Sequence, residues 1–404
     1  MNERRVLTLN SGSSSLKFAV YAVGAGEQLV LRGKLERIGQ PEGHFEATHA
    51  ERGKVADEKV SFPDHQAALD LLLQRLPKLG LESVAAIGHR IVQGGPDHVG
   101  PQIVTPELLK ELRALCPIDP PHLPAALDAL EAAQKLGRNI PQVACFDTSF
   151  HRTLPAVAQQ LPLPRRLTRD TLLMRYGFHG LSYEFIVEEL NRVGGEKEAR
   201  GRVIIAHLGN GASMAAVCEG KSVETTMGFT PAGGLVMSSR TGDLDPGVIA
   251  YLLREGKISV DQLNDLVFQQ SGLKGVSGLS SDLQDLMKAR KTNPAAQEAI
   301  DLFCYSARKA LGSLVAVLDG VETIVFTGGI GENDAFCRAA ICAGFSHLGL
   351  MLDMRANEEN HEVISTPDSR VIVRVMKTNE ELVIARHTAQ LAFPPQPTPN
   401  LKNP

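Results

Sequence analysis

The sequence predicts an α/β protein with at least two domains. Short apolar segments suited to buried strands alternate with segments whose apolar residues recur at helical spacing. Two strand–turn–strand segments, which begin near residues 6 and 203, share one design. The chain has 404 residues, and at about 150 residues per domain this length suits two or three domains.

The two similar segments each place a polar, glycine-containing turn between apolar strands. Residues 6–9 and 16–23 flank the turn 10–15, and residues 203–206 and 212–217 flank the turn 207–211. A gapless superposition matches Arg5, Val6, Gly12, Ala19 and Val20 with identical residues of the second segment. The two are either an internal repeat or merely similar hairpins. A repeat would give two related halves with a cleft between them.

Helices and further strands are predicted between these segments. Thr105 and Pro106 form a typical helix start ahead of an apolar stripe. Similar spacing predicts helices over 125–136, 183–193, 261–268, 295–318 and 380–391. Buried strands are predicted over 84–87, 143–146, 323–326 and 371–375. This alternation is typical of sheets covered by helices.

Composition excludes several classes of protein. The chain is 43% hydrophobic and 22% charged, as ordinary globular proteins are. Its formal net charge of -4 argues against nucleic acid as a partner. No apolar run approaches the roughly 18 residues of a membrane span, and the six cysteines show no CxxC spacing. We therefore expect a cytoplasmic protein with reduced thiols and no membrane partner.

Four glycine-rich turns follow apolar strands, at residues 10–15, 94–95, 207–211 and 328–333. Backbone N–H groups converge in such turns, and an anion can bind there. Each turn alone is equally consistent with a plain hairpin. Lys17, just past the first turn, suits a phosphate contact or an edge-strand lysine.

Arginine and histidine occur in three further segments that we interpret as loops: His89-Arg90, Arg175-Tyr176-Gly177-Phe178-His179-Gly180 and Ser238-Ser239-Arg240-Thr241-Gly242-Asp243. The guanidinium fork suits carboxylate and phosphate oxygens, although loop ion pairs are the alternative. Asp147 follows a predicted strand, and Glu380 begins a predicted helix. Such residues supply the charge that phosphoryl transfer and Mg²⁺ require.

Eight segments, in order along the chain, resemble the acetokinase family, within the superfamily of acetate and sugar kinases, Hsp70 and actin. They lie at residues 9–17, 88–90, 146–151, 175–180, 207–211, 227–243, 329–333 and 378–381. The resemblance implies a duplicated RNase H-like (actin-like ATPase) α/β fold of two domains with an interdomain cleft. One domain would span 1–150, with the helix at about 384–404 returning to it. The second, nucleotide-binding domain would span 151–383.

The resemblance also implies an activity: transfer of the γ-phosphoryl group of ATP to acetate, giving acetyl phosphate and ADP, reversibly. ATP would be the co-substrate, Mg²⁺ or alternatively Mn²⁺ the metal, and a homodimer the assembly. The implied catalytic residues are Asp147, His179 and Arg240. The implied metal ligands are Asn10 and Glu380.

The implied binding residues form two groups. Those for acetate or another short-chain carboxylate are Arg90, Val92, Pro121, His122, Phe178 and Pro231. Those for ATP are Lys17, His207, Leu208, Gly209, Asn210, Gly211, Asp282, Leu283, Gln284, Gly329, Ile330, Gly331, Glu332 and Asn333. The sequence departs from the family pattern beside these positions, at Gln93, Pro96, Leu123, Tyr183 and Gln284.

A carboxylic acid is already ionised at neutral pH, so the acceptor needs no general base. We therefore expect Asp147 to position Arg90 or a metal-bound water. Propionate or butyrate kinase is the nearest alternative. A nucleotide-driven protein like Hsp70 or actin would need no carboxylate clamp, and a paralogue without turnover would not need every charged residue of the site.

Overall fold

The computed structural model describes residues 4–394 except 13, 25, 80, 82, 121, 135–139 and 170. The chain divides into two compact units. Unit 1 comprises Met1–Ser149 and Asn379–Pro404, and unit 2 comprises Phe150–Thr378. The second segment of unit 1 begins before the predicted boundary near residue 384, because Asn379 caps one continuous C-terminal helix.

The strands of unit 1 precede those of unit 2 along the chain. They are β1 (Arg4–Ser11), β2 (Ser15–Val23), β3 (Glu27–Glu36), β4 (Gly43–His49), β5 (Gly53–Val60), β6 (Ala86–Ile91), β7 (Gln102–Ile103), β8 (Gln142–Phe146), β9 (Val203–Leu208), β10 (Ala212–Cys218), β11 (Lys221–Thr225), β12 (Thr323–Thr327) and β13 (Ile372–Val375).

Helices lie between the strands and after them. They are α1 (His65–Arg75), α2 (Pro106–Ala114), α3 (Leu123–Gln134), α4 (Ala156–Gln159), α5 (Arg165–Thr168), α6 (Gly180–Gly194), α7 (Glu196–Ala199), α8 (Pro246–Arg254), α9 (Val260–Asp265), α10 (Gly272–Ser277), α11 (Leu283–Ala289), α12 (Pro294–Val317), α13 (Gly328–Asn333), α14 (Ala335–Cys342), α15 (Met354–Glu358) and α16 (Glu380–Ala392). Within the described part of the chain, none of the helices has the length and apolarity to cross a membrane.

Unit 1 is built on a sheet with the strand order β5-β4-β3-β2-β1-β6-β8-β7. Strands β1 to β5 pair antiparallel, whereas β1, β6 and β8 run parallel. Successive residues of β1 point to opposite faces. Leu7 and Leu9 pack in the core that includes Leu69 of α1, and Val6 packs with Ala385 of α16. Burial on both faces explains why the middle of β1, residues 6–9, is apolar apart from Thr8.

Unit 2 repeats this arrangement with the strand order β11-β10-β9-β12-β13. The first three strands pair antiparallel, and β9, β12 and β13 run parallel. The order and directions match β3-β2-β1-β6-β8 of unit 1. The prediction of a duplicated α/β fold is confirmed, and the two similar hairpins occupy equivalent places in their sheets.

Three predicted elements differ from the structure. His89-Arg90 lies inside β6 rather than in a loop, since buried partners satisfy both side chains. Residues 328–333 form the short helix α13 rather than a turn. The helix predicted over 261–268 ends at Asp265, and a wider π-helical turn, Leu266–Gln270, follows. Residues 135 and 136, predicted as helical, lie outside the described residues.

Candidate active site

Unit 1 gathers four polar side chains that we name the Arg90 cluster: Asn10, Arg90, Asp147 and Glu380. Asn10 lies in β1, Arg90 lies in the neighbouring strand β6, and Asp147 directly follows β8. The carboxyl ends of parallel strands meet at one edge of a sheet, where ligands of α/β proteins bind. Glu380 joins them because α16 begins there, capped by Asn379.

The Arg90 guanidinium is held as a fork. Its Nε donates to Oδ1 of Asp147 at 3.1 Å, and its Nη2 donates to Oδ2 of the same carboxylate. Its Nη1 donates to Oδ1 of Asn10 at 3.1 Å, and Nε lies 3.8 Å from Oε2 of Glu380. Asp147 is fully buried. A buried bidentate pair of this kind fixes the plane of the guanidinium.

Electrostatics tie these groups together. Burial opposes the charge of Arg90, but Asp147 and Glu380 outweigh it and raise the pKa of the guanidinium. Burial also raises the pKa of Glu380, which the charges of Arg90 and Lys17 partly oppose. Lys17 stands opposite Asn10 across the β1–β2 pair. Lys17, predicted as an ATP contact, therefore lies beside the Arg90 cluster.

Three further predicted residues belong to unit 1: Val92, Pro121 and His122. Val92 is buried and follows β6. His122 has Nδ1 at 2.7 Å from Oδ1 of buried Asp119. Pro121 lies outside the described residues.

Unit 2 gathers a second group, which we name the His179 cluster: His179, His207, Gly211 and Arg240. His179 precedes α6 with φ 60°, a left-handed conformation unusual for a residue with a side chain. Its ring stacks on His207 with 4.2 Å between centroids. A methyl group built on Gly211 would lie 3.1 Å from Nε2 of His179 and 3.5 Å from Nη1 of Arg240. Both nitrogens therefore approach the same point of the 207–211 turn.

Backbone contacts join the remaining predicted residues to the His179 cluster. Nη1 of Arg240 donates to the carbonyl of Pro231 at 3.1 Å. The carbonyl of Asn210 accepts from the N–H of Ser238 at 3.3 Å. Phe178 is buried directly before His179. The structure thus brings Phe178, His179, Pro231, Arg240 and the 207–211 turn into one region.

Helix α13 packs closely on the end of β9. Gly328 has φ 78°, and a methyl group there would lie 2.7 Å from the carbonyl oxygen of Leu208. Oε1 of Glu332 accepts from the N–H of Gly328 at 3.1 Å and from that of Thr378 at 3.4 Å. Nδ2 of Asn333 donates to the carbonyl of Gly329 at 2.9 Å. Glu332 and Asn333 therefore stabilise this glycine-rich segment, in which Gly329 and Asn333 are exposed.

The third predicted ATP segment lies at the start of α11. The side chain of Asp282 caps this helix by accepting from the N–H of Gln284 at 2.8 Å. Leu283 is buried and Gln284 is exposed. This capping role alone accounts for an aspartate at position 282, without any contact to ATP.

Four residues outside the predicted set of site residues support these positions. Ser213 binds Nδ1 of His179, and Tyr183 binds Ser213. Nε2 of buried His151 lies 2.9 Å from the carbonyl of Phe178, and burial lowers the pKa of His151 to about 4. Arg338, fully buried in α14, donates to the carbonyl of Gly331 at 2.8 Å. The sequence signal for this role was an arginine within an otherwise apolar helical segment, because arginine is seldom buried without a partner.

A carboxylate-held arginine in unit 1 and exposed glycine-rich backbone in unit 2 are the parts expected of a phosphotransferase. The sequence matches the model of the acetokinase family over residues 5–386, and the chain belongs to that family.

Named relatives agree over nearly the whole chain. An acetate kinase of Rhodopseudomonas palustris is 43% identical over 394 residues, covering 96% of this chain and 98% of the relative. Acetate kinase 1 of Neisseria meningitidis is 40% identical, covering 97% of this chain and 100% of the relative.

Solved structures agree as well. The acetate kinase of Porphyromonas gingivalis superposes with a TM-score of 0.87 at 35% identity, covering 96% of this chain and 99% of the other. A propionate kinase from Francisella tularensis superposes with a TM-score of 0.90 at 33% identity, covering 96% and 100%.

Proposed function

We propose that this chain is an acetate kinase that transfers the γ-phosphoryl group of ATP to acetate, reversibly and by direct in-line displacement. The observation that carries the proposal is the fork between Arg90 and Asp147, in a chain at least 40% identical to named acetate kinases over nearly its whole length. An oxygen of acetate attacks the γ-phosphorus, and the bond to the bridging oxygen of ADP breaks.

Arg90 has donors left for the acceptor acid. A guanidinium carries five N–H groups, and three of them donate to Asp147 and Asn10. A carboxylate can accept hydrogen bonds from the two N–H groups that remain. The acid is already ionised, so Asp147 serves to orient Arg90 rather than to remove a proton. The acyl group is proposed to be surrounded by Val92, Pro121, His122, Phe178 and Pro231.

Unit 2 is proposed to bind the nucleotide through the 207–211 turn, Asp282 to Gln284 and α13. His179 and Arg240 would stabilise the charge spread over the transferred phosphoryl oxygens. Among the described residues, no group of three or more His, Cys, Asp or Glu side chains could hold a metal ion.

Asn10 and Glu380 supply the oxygen atoms that Mg²⁺ prefers, and Mn²⁺ is an alternative. The half-buried carboxylate of Glu380, whose pKa burial raises, would be stabilised by such a cation. An ion held there would neutralise part of the phosphate charge. Water and phosphate oxygens would complete its coordination, as is usual for Mg²⁺ at nucleotide sites.

We also propose that the chain forms a cytoplasmic homodimer through α8. This helix buries none of its residues, and Leu244, Val248 and Tyr251 expose 39%, 41% and 51% of their surface. Exposed apolar residues grouped in this way mark protein contacts. Light scattering should give twice the chain mass for the wild type and the single mass for Val248→Glu with Tyr251→Glu. A monomeric wild type would contradict the homodimer.

The test of the activity is an assay with ATP, Mg²⁺ and hydroxylamine, which traps acyl phosphate as the hydroxamate. Acetate should give product in proportion to enzyme, and omission of ATP should abolish it. Propionate and butyrate belong in the same series, because a pocket discriminates one methylene by only about 1–3 kcal/mol and a propionate kinase superposes well. Hydrolysis of ATP without any acid requirement would instead indicate a nucleotide-driven protein.

A further inference from the structure

We infer that Tyr183 and Ser213 form a hydrogen-bond relay that holds His179 with its ring hydrogen on Nε2, facing the phosphoryl group. This inference rests on the proposed function. Neither residue would touch a substrate, so both are positioning residues that act through His179.

The relay is continuous and shielded from water. Oη of Tyr183 lies 2.5 Å from Oγ of Ser213, which in turn lies 2.7 Å from Nδ1 of His179. Tyr183 and Ser213 are fully buried, and His179 is 9% exposed. Tyr183 stands one helical turn after His179, and its N–H donates to the carbonyl of His179 at 3.1 Å. The helix and strand β10 therefore present all three groups to one another.

The hydrogens available on each group determine which atom donates in each hydrogen bond of the relay. A serine hydroxyl has one hydrogen and two lone pairs. When Tyr183 donates to Ser213, the serine hydrogen is directed to Nδ1, and a neutral imidazole then carries its own hydrogen on Nε2. That nitrogen lies on the side of the ring that approaches Gly211. It is placed to donate to a phosphoryl oxygen.

The surroundings favour this form over a ring with both nitrogens protonated. Arg240 brings a guanidinium to the same point of the 207–211 turn, and a second positive charge beside it is unfavourable. The left-handed backbone of His179 is also strained and needs fixed neighbours. The relay, the His207 stack and the contact of His151 with the carbonyl of Phe178 provide them.

Kinetics test the relay with variants that remove single hydroxyl groups. Tyr183→Phe and Ser213→Ala should each lower kcat about tenfold, the worth of one hydrogen bond, with both KM values within about twofold of wild type. The double variant should be no slower than Ser213→Ala, because Tyr183 acts only through Ser213. Tyr176→Phe is the matched control, since its buried hydroxyl binds the carbonyl of Leu172 and should leave kcat unchanged. An unchanged kcat in Tyr183→Phe, or multiplicative losses in the double variant, would overturn the inference.

A measurement on the wild-type protein makes the test independent of folding and of turnover. Histidine labelled with ¹⁵N reports which ring nitrogen carries hydrogen, and His179→Gln identifies the signal by its loss. We expect hydrogen on Nε2 and none on Nδ1 of His179, and hydrogen on Nδ1 would overturn the relay. A protein that shows this tautomer but makes no acyl phosphate would refute the proposed function and leave the relay intact.

Discussion

Each unit holds an arginine beside its functional residues, half-buried Arg90 in unit 1 and fully buried Arg338 in unit 2, and their surroundings differ in charge. In unit 1, carboxylates surround Arg90 and raise the pKa of the guanidinium. In unit 2, Arg338 donates to the carbonyls of Gly331 and Asn357 and to the amides of Asn357 and Asn360. Burial lowers the pKa of Arg338.

The difference indicates two tasks. A guanidinium clamped by Asp147 is oriented rigidly, which suits recognition of one small carboxylate. Arg338 leaves a positive charge under the segment that is proposed to bind a polyphosphate, and it fixes the backbone of that segment through Gly331. Asp147 thus fixes the orientation of Arg90. Arg338 fixes the backbone at Gly331 and also contributes a positive charge.

The largest expected effect comes from breaking the clamp of unit 1. Asp147→Ala leaves the half-buried guanidinium of Arg90 without its partner, which costs roughly 1–3 kcal/mol of unfolding free energy. We expect acetate turnover to fall by more than about a hundredfold, because substrate geometry is lost. Asp147→Asn keeps one oxygen acceptor and should retain most turnover. Denaturant unfolding and the hydroxamate assay measure the two quantities.

Glu198→Ala is the control for the Asp147 variants. Glu198 makes an equivalent fork with Arg374, at 2.8 and 2.9 Å, away from both clusters. It should lower stability without changing the KM for acetate. Equally severe loss of turnover in Asp147→Asn and Asp147→Ala, with Arg90 still in place, would contradict a positioning role.

The next largest effect is on stability and comes from one buried histidine in each unit. Burial lowers the pKa of His89 in unit 1 and of His151 in unit 2 to about 4. The unfolded chain binds protons near pH 6.5, and the folded chain does so only near pH 4. The unfolding free energy should therefore be constant above about pH 6.5 and fall as the pH drops toward 4, by a few kcal/mol for each histidine.

Denaturant unfolding from pH 4 to pH 7 checks this slope. His89→Gln and His151→Gln should each flatten it, and exposed His347→Gln should not. A slope that neither buried variant changes would contradict the assignment.

Sequence patterns predicted the elements that local chemistry determines. The apolar runs of β1 and β9 and the Thr105–Pro106 start of α2 lie where they were expected. Pairings across long separations were less accessible. Arg90 looked like a loop residue, since nothing local shows that Asp147, 57 positions away, would satisfy it inside a strand.

The segment Gly328–Asn333 shows the same limit in unit 2. Three of the four residues from 328 to 331 are glycines, which disfavour a helix. The helix forms because Glu332 binds back to Gly328 and Arg338 holds Gly331. The relay from Tyr183 through Ser213 was hidden as well, because Ser213 lies on another element.

A smaller effect is expected from Arg338→Met, which keeps the volume but removes the charge and leaves the carbonyl of Gly331 without its donor. Stability should fall by roughly 1–3 kcal/mol. The KM for ATP should rise about tenfold, the equivalent of one lost charge contact, with the KM for acetate unchanged. Equal increases in both KM values would remove the distinction between the two arginines.

The smallest effect is expected from Gly211→Ala. The added methyl group would lie 3.1 Å from Nε2 of His179, which must move by a few tenths of an ångström, and it would only touch Nη1 of Arg240 at an ordinary 3.5 Å. We expect kcat to fall several-fold, about 1 kcal/mol in barrier, and both KM values to hold. Gly100→Ala is the control, because a methyl group there meets no atom within 4 Å. A kcat equal to that of Gly100→Ala would contradict a need for His179 to keep its exact position.

The proposal that Arg90 binds acetate, whereas Arg338 supports the ATP-binding segment, is tested most directly by two measurements on Arg90→Ala. Calorimetric titration gives its affinity for ATP, and steady-state kinetics gives its KM for acetate. We expect ATP affinity close to wild type and a KM for acetate raised at least about tenfold, as for loss of a charged hydrogen-bond partner. Weakened ATP binding with an unchanged KM for acetate would contradict it.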